Sequence, residues 1–343
     1  MLKKLIRWLN AGVILLTLFS YLSPYIHPDI TWIFALLGTG YSWLLLVNIL
    51  FVLFWLVLKK WYFIFSLICI LIGWQHFTNF VGLNFASAPA SEHSLKVMSY
   101  NVQGFYKLDA PTEKKKQKKQ ADFSKLLTQK IVPDVICTQE TGWKDLIIRN
   151  KEFSNYIKKE RVFIFSRYPI IEKGYVDLEG PVVGCVWADI QKDDKIVRVY
   201  SIHLSSNKVT TEANKLRESS NLQDKETWQG VRSMMSKYSK TARQRAEQAE
   251  KIAQHVESSP HPVIVCGDFN ETPLSYSYRH ISRKLKDAYQ EKAFGLGTTF
   301  AGSIPGLRID YTLVDSSLVI QSHEILKDIS YSDHYPIVTE ISY

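Results

Sequence analysis

The first 85 residues contain one acid, Asp29, and five bases, Lys3, Lys4, Arg7, Lys59 and Lys60, in a chain of 343 residues with 42 Lys and Arg and 33 Asp and Glu. A segment so poor in charge cannot clothe a water-soluble fold, whose surface needs ionised side chains, so it must face hydrocarbon or lie inside something larger. Three apolar stretches can be drawn, roughly Trp8 to Tyr25, Ile30 to Leu58 and Trp61 to Phe85, each near the ~20 residues of a spanning helix. The chain is therefore divided into a membrane region, residues 1–86, with three predicted transmembrane helices, a linker, 87–94, and a soluble domain, 95–343. The middle stretch is longer than one span, and either a kink at Gly38, Thr39 and Gly40 or a tilt accommodates it.

The basic residues orient this region. Lys3, Lys4 and Arg7 precede the first stretch and Lys59 and Lys60 join the second to the third, and loops rich in Lys and Arg stay cytoplasmic. Three crossings then place the soluble domain on the far side, which predicts an integral membrane protein with an extracytoplasmic domain. A cleaved signal peptide is the rival, but the small-residue pattern Ala86-Ser87-Ala88 comes too late for it. Asn48, Gln75, His76 and Asn79 are polar groups at membrane depth, read first as helix-packing or interfacial residues and second as headgroup contacts. Cys69, Cys137, Cys185 and Cys266 show no paired or metal-ligand spacing and are expected to be buried free thiols.

The soluble domain accounts for +5 of the formal net charge of +9, too little by itself to demand nucleic acid. Its strands repeatedly end in polar residues. The apolar run Pro262-Val-Ile-Val-Cys suits a strand covered on both faces, and Gly267, Asp268, Phe269 and Asn270 follow at once. Asp268 and Asn270 suit either a loop cap or a pair that holds a water and a phosphoryl oxygen. Leu95 to Val102 ends near Asn101, Asp134 to Thr138 leads into Gln139-Glu140, and Lys195 to Leu204 presents His203. Late in the chain, Arg308 to Val314 carries Asp310, and Asp333-His334 precedes a last strand, Ile337 to Ile341. Lys114, Lys115, Lys116, Lys118 and Lys119 open a helix through Lys130 and form its solvated face or an anion-attracting patch. Ser205 to Tyr238 is expected to be a long insertion, and Thr241 to Val256 a helix.

In order, and with Gln-Glu, His-Leu, Gly-Asp-Phe-Asn, Ile-Asp-Tyr and Ser-Asp-His-Tyr-Pro around them, Asn101, Glu140, His203, Asp268, Asn270, Asp310, Asp333 and His334 resemble the endonuclease/exonuclease/phosphatase (deoxyribonuclease I-like) superfamily over about Leu95 to Tyr343. The resemblance implies an α+β fold, a four-layer α/β/β/α sandwich, here preceded by the helical transmembrane region. It implies that Asp268 positions or deprotonates the attacking water, that Asn270 bonds the phosphoryl group, and that Asp310 orients His334. His203 is then a phosphate ligand or the acid for the leaving oxygen. The same chemistry asks for a cation, and Glu140, with Asn101 and Asp333 nearby, is the expected Mg²⁺ site, Mn²⁺ being an acceptable substitute, because hard oxygen donors suit such ions. The domain arrangement is similar to a membrane-attached bacterial branch, some of whose members are linked to glycolipid-anchor remodelling, which points to the bacterial inner membrane. The expected activity is metal-dependent hydrolysis of a phosphodiester or phosphomonoester, with lipid or headgroup phosphates favoured. A tethered extracytoplasmic nuclease is the second reading and a non-catalytic binding module the third.

Overall fold

The computed structural model of the chain describes residues 1–84, 93–108, 112–142, 147, 151–180, 183–206 and 225–342. The N-terminal region is helical. Helix α1 (Leu2–Ser20) continues through a tight turn, and Lys3–Tyr25 is long and apolar enough to cross a membrane. The middle apolar stretch is bent: α2 (Ile33–Thr39) and α3 (Tyr41–Val57) meet at 61° around Gly40, and together they make a second candidate. The third stretch is divided. Helix α4 (Phe63–Ile72) stops at Gly73, where a side chain would strike the Tyr21 ring, and a short α5 (Trp74–Thr78) follows. Strand β1 (Val81–Leu83) then leaves the helical region and pairs with β11 (Phe294–Leu296) of the sheet domain. Residues 81–84, before the boundary expected at 86, are already hydrogen-bonded to that domain, and the boundary and most of the expected linker lie outside the described residues.

Asn48 proves to be a packing residue, donating to Thr17 Oγ1 at 2.8 Å. Asn79 is a junction instead: its carbonyl accepts from Arg308 at 2.8 Å and its side-chain oxygen from Gln290 at 2.7 Å.

The remaining strands are β2 (Ser94–Asn101), β3 (Val135–Gln139), β4 (Asn155–Lys159), β5 (Val162–Ser166), β6 (Ile170–Val176), β7 (Gly184–Lys192), β8 (Lys195–His203), β9 (Val263–Asp268), β10 (Leu285–Asp287), β12 (Asp310–Asp315), β13 (Val319–Ile325) and β14 (Ile337–Ser342). They build two six-stranded sheets, ordered β10-β12-β9-β8-β7-β6 and β13-β14-β2-β3-β5-β4. Val97, Val135 and Ile164 from one sheet meet Val186, Val199 and Ile264 from the other, so central strands are apolar on both faces. Helix α6 (Glu113–Lys125) and the turns after it cover the outer face of one sheet through Phe123, Leu127 and Ile131. Helix α7 (Lys225–Glu257) covers the other through Ala249, Ile252 and Val256. The result is the expected α/β/β/α order. Two short helices, α8 (Tyr276–Ser282) and α9 (Ala288–Lys292), complete the domain.

Helix α7 corrects one expectation. It begins at Lys225, not near Thr241, so Lys225 to Tyr238 belongs to the helix; residues 207–224 of the insertion lie outside the described residues. Tyr238 and Ala242 keep the helix going because they are buried against Ala35 of α2, a contact that local sequence cannot reveal. The four cysteines are free and buried.

Candidate active site

Strand register assembles the site. β2 and β3 are parallel with Asn101 opposite Gln139, and β8 and β9 are parallel with His203 opposite Asp268. β12 runs antiparallel to β9 and sets Asp310 opposite Asp268. Parallel neighbours end at one edge, so residues far apart in sequence converge there.

Gly267 has φ +143, and a Cβ there would lie 2.0 Å from the Ile202 carbonyl, so only glycine lets β9 pass this close to β8. Asp268 then serves in both ways the sequence allowed, one with each oxygen. Its Oδ1 accepts from the Asn270 backbone N–H at 2.8 Å, the loop cap. Its Oδ2 accepts from Asn101 Nδ2 at 2.9 Å and lies 3.7 Å from Nε2 of both His203 and His334. Asn270 itself, at φ +51, donates to the Leu204 carbonyl at 3.0 Å and ties the loops after β8 and β9 together.

His334 Nδ1 is 2.9 Å and 3.1 Å from the two Asp310 carboxylate oxygens, and its ring meets Phe300 edge-on. Burial alone would push the His334 imidazolium toward its neutral form, but Asp310 and Asp268 outweigh it and hold the group up at about 10. Burial pulls Asp310 toward its acid form, so the two bonded groups titrate as a pair. His203 is the opposite case. It is buried, Nε2 lies 3.6 Å from Glu140 Oε1, and neither ring nitrogen has a hydrogen-bond partner among the described residues. A buried imidazole left unpaired is costly unless a ligand completes it.

The expected metal residues are brought together unequally. Asn101 Nδ2 and Glu140 Oε1 are 3.3 Å apart. Asp333 joins through Gln103, which sequence reasoning missed: Gln103 Nε2 donates to Asp333 at 2.9 Å and its backbone N–H donates to Asn101 Oδ1 at 3.0 Å. Glu140 takes a left-handed backbone, φ +53, and Arg161 fixes it by donating to the Glu140 carbonyl at 2.8 Å. A second group, Asp268, Asp310 and His334, brings one ligand atom each within 4.8 Å of one another and could also hold a cation. Because Asp310 commits both oxygens to His334, the Glu140 side has the freer carboxylate. Both groups are rich in hard oxygen donors, and clustered carboxylates at one sheet edge suit a divalent cation.

A buried carboxylate flanked by two imidazoles, with the Glu140 carboxylate beside it at one end of paired sheets, is an arrangement that suits a metal-dependent phosphoric ester hydrolase. The comparisons agree. Residues 98–334 match the Endonuclease/Exonuclease/phosphatase family, and the chain belongs to it. Residues 3–80 match a domain of unknown function (DUF8431). No curated protein matches the chain. Among solved structures, it is similar to a humanized D. rerio TDP2, at 14% identity and TM-score 0.53, covering 73% of this chain and 99% of that one. It is also similar to an endonuclease/exonuclease/phosphatase from Bacteroides vulgatus, at 19% identity and TM-score 0.53, covering 73% and 99%. A mannosyl-6-phosphatase from Bacteroides thetaiotaomicron VPI-5482 is likewise similar, at 19% identity and TM-score 0.50, covering 73% and 100%. At these identities the likeness shows the fold.

Proposed function

We propose that this chain is a membrane-anchored, extracytoplasmic phosphoesterase that acts on phosphate esters at the bilayer surface, lipid or headgroup phosphates above all. The observation that carries the reading is the seat of the helical region. The end of α2 rests on the loop that follows the catalytic strand: Thr272 Oγ1 donates to the Gly38 carbonyl at 3.0 Å, two residues beyond Asn270. Leu274 packs with Tyr41 and Leu45 of α3, and Ser42 lies against Gly306 in the loop before β12. Two loops that border the site therefore touch the helices directly. With α1 and α3 in the bilayer, the site opens within a loop's thickness of the lipid surface.

The charges support the orientation. Arg7 donates to Tyr62 Oη at 2.9 Å, which puts the N-terminal bases and the Lys59-Lys60 turn at one end of the helices. The other end, where Tyr25 lies under Arg279, meets the sheet domain. The legs of the helical region alternate between these ends, α1 outward, α3 back and α4 with α5 outward again, and the basic end is the cytoplasmic one.

In the proposed reaction Asp268 takes a proton from the attacking water as its oxygen bonds to phosphorus, and Asn270 donates to a phosphoryl oxygen. His334, held protonated by Asp310, donates Nε2–H to the same group. His203 supplies the proton to the leaving oxygen as the ester P–O bond breaks. A divalent cation, Mg²⁺ with Mn²⁺ as substitute, bound by Glu140 with Asn101 and Asp333, would neutralise charge on the phosphoryl oxygens. The test is hydrolysis by the full chain in vesicles, with Mg²⁺ or Mn²⁺, of phospholipids, sugar phosphates and DNA. Turnover of phospholipid or headgroup phosphate above the others supports the reading; preferential DNA cleavage, weakening steeply with salt, would replace it with the nuclease. Proteolysis of the sheet domain in intact cells checks orientation, and protection there would overturn it.

A further inference from the structure

The loops that present His203 and Asn270 are joined behind the site by Arg245 of α7. This guanidinium is fully buried. Its Nε donates to Glu271 Oε1 at 2.7 Å, and Nη1 donates to the Ser205 carbonyl at 2.9 Å. Glu271 directly follows Asn270, and Ser205 stands two residues after His203. Gln248, three residues further along α7, holds the same place: its Oε1 accepts from the Ser205 N–H at 3.1 Å, and its Nε2 donates to Ser205 Oγ at 2.9 Å. The Glu271 carbonyl accepts from Tyr311 at 2.7 Å, and Glu271 Oε2 has no hydrogen-bond partner among the described residues.

Removing both charges of an Arg–Glu pair from water is expensive, and an apolar pair of similar volume would often fill the space at no loss of stability. What the pair supplies is direction: a planar guanidinium fork fixes one carboxylate and one carbonyl at the same time. On the far side of Arg245 stands Tyr238, whose ring lies 5.8 Å from the guanidinium. The Tyr238 hydroxyl shares a 2.8 Å hydrogen bond with Thr39 Oγ1 at the end of α2. One residue earlier, Gly38 receives Thr272. No side chain fits at Gly38, where a Cβ would lie 2.1 Å from the Leu274 carbonyl, so α2 sits directly on the catalytic loop.

We propose that Arg245 is a positioning residue that clamps the His203 and Asn270 loops into register, and that the N-terminal helical region closes this clamp through Thr39–Tyr238 and Gly38–Thr272. The helices are then part of the catalytic unit as well as its anchor. Every residue that touches substrate lies in the sheet domain, yet the geometry of two of them is set from residues 38 and 39. This rests on the phosphoesterase reading only for its kinetic consequence.

The experiment uses the full chain in nanodiscs, with the double variant Thr39→Val, Tyr238→Phe, and separately Arg245→Met and Arg245→Lys. Two readouts are taken: hydrogen exchange at residues 204–206 and 269–275, and kcat and KM on the soluble ester bis-p-nitrophenyl phosphate. The double variant keeps both side-chain shapes and removes the Thr39–Tyr238 link, together with the Thr39 Oγ1 bond to the Ala35 carbonyl within α2, while leaving Gly38–Thr272 in place. It is expected to exchange faster in both loops and to lose about 10- to 100-fold in kcat with KM little changed, the scale of a small misplacement of catalytic groups. Arg245→Met should lose more, and Arg245→Lys should recover part of it. Unchanged exchange or unchanged kcat in the double variant overturns the proposal, whether or not Arg245→Met folds. If the unaltered chain hydrolyses no phosphoester, the proposed function fails, while hydrogen exchange still decides the clamp.

Discussion

The helical region and the sheet domain are inside-out versions of one another. In the sheet domain Val97, Ile164, Val199 and Ile264 are buried between the sheets, and polar groups gather at strand ends. In the helices the large apolar side chains face outward, Trp8 at 70% exposure, Leu9 at 56%, Leu50 at 54% and Leu53 at 53%, while Asn10, Thr17, Asn48 and Ser66 are buried. Several of the buried polar residues pair with one another: Asn10 Nδ2 donates to Ser66 Oγ at 2.7 Å, and Asn10 Oδ1 accepts from Trp55 Nε1 at 2.9 Å. On the proposed membrane reading, hydrocarbon supplies no hydrophobic drive between helices, and small and polar contacts would hold them together. The two halves thus place their apolar and polar side chains in opposite ways.

That contrast can be broken at several points. The largest effect belongs to the sheet-domain edge: Asp268→Asn should lower turnover by about three orders of magnitude with the fold retained, the weight of a general base. Retained turnover would remove the mechanism. Chelation of divalent cations should abolish activity comparably and reversibly, with Mg²⁺ or Mn²⁺ restoring it, and activity that survives would exclude the Glu140 site.

Next come paired surface substitutions. Leu50→Arg, in the middle of α3 and facing out, should impair membrane integration, since a cation at that depth costs roughly 2.5–3.5 kcal/mol. Ile171→Arg, on the exposed face of β6 at 55% exposure, should change stability by only about 0.5 kcal/mol. Carbonate extraction and thermal unfolding read the two. Equal tolerance at both sites would mean that the helices face water.

Asn48→Leu should weaken helix packing by about 0.6–1.7 kcal/mol, measured by unfolding in detergent, and leave soluble-ester turnover unchanged. A separate, pH-dependent effect is acid sensitivity from His323, buried on β13 and bonded to Thr339 at 2.8 Å. Burial pushes its pKa from 6.5 down to about 4. The unfolded chain therefore binds the extra proton first: stability from this group is complete above pH 6.5 and is lost as pH falls toward 4. Replacing His323 with Gln should flatten the melting temperature across that window, and an unchanged slope would assign the acid sensitivity elsewhere.

Much of the site was legible because its residues sit at the ends of strands whose apolar runs announce them. Asp268, Asn270 and His203 follow β-branched stretches directly, and Asp310 opens one. The helpers were not legible. Gln103, Arg161 and Arg245 carry no local signal, since each is defined by a carbonyl or carboxylate contributed from a distant element. The same reason hid the early start of α7, which Tyr238 stabilises only because Ala35 is there to bury it.

The sequence by itself determined the division into a charge-poor helical region and a two-sheet domain and the thiol state of the cysteines, because these depend on composition and short-range periodicity, while the set of candidate site residues rested on a resemblance to a known family. Tertiary structure alone decided which oxygen of Asp268 caps a loop and which faces two histidines, where the third apolar stretch turns into a strand, and that α2 rests on the loop after Asn270. Hydrogen-bond direction and strand register fix those choices, and both are properties of residue pairs that the chain separates by scores or hundreds of positions.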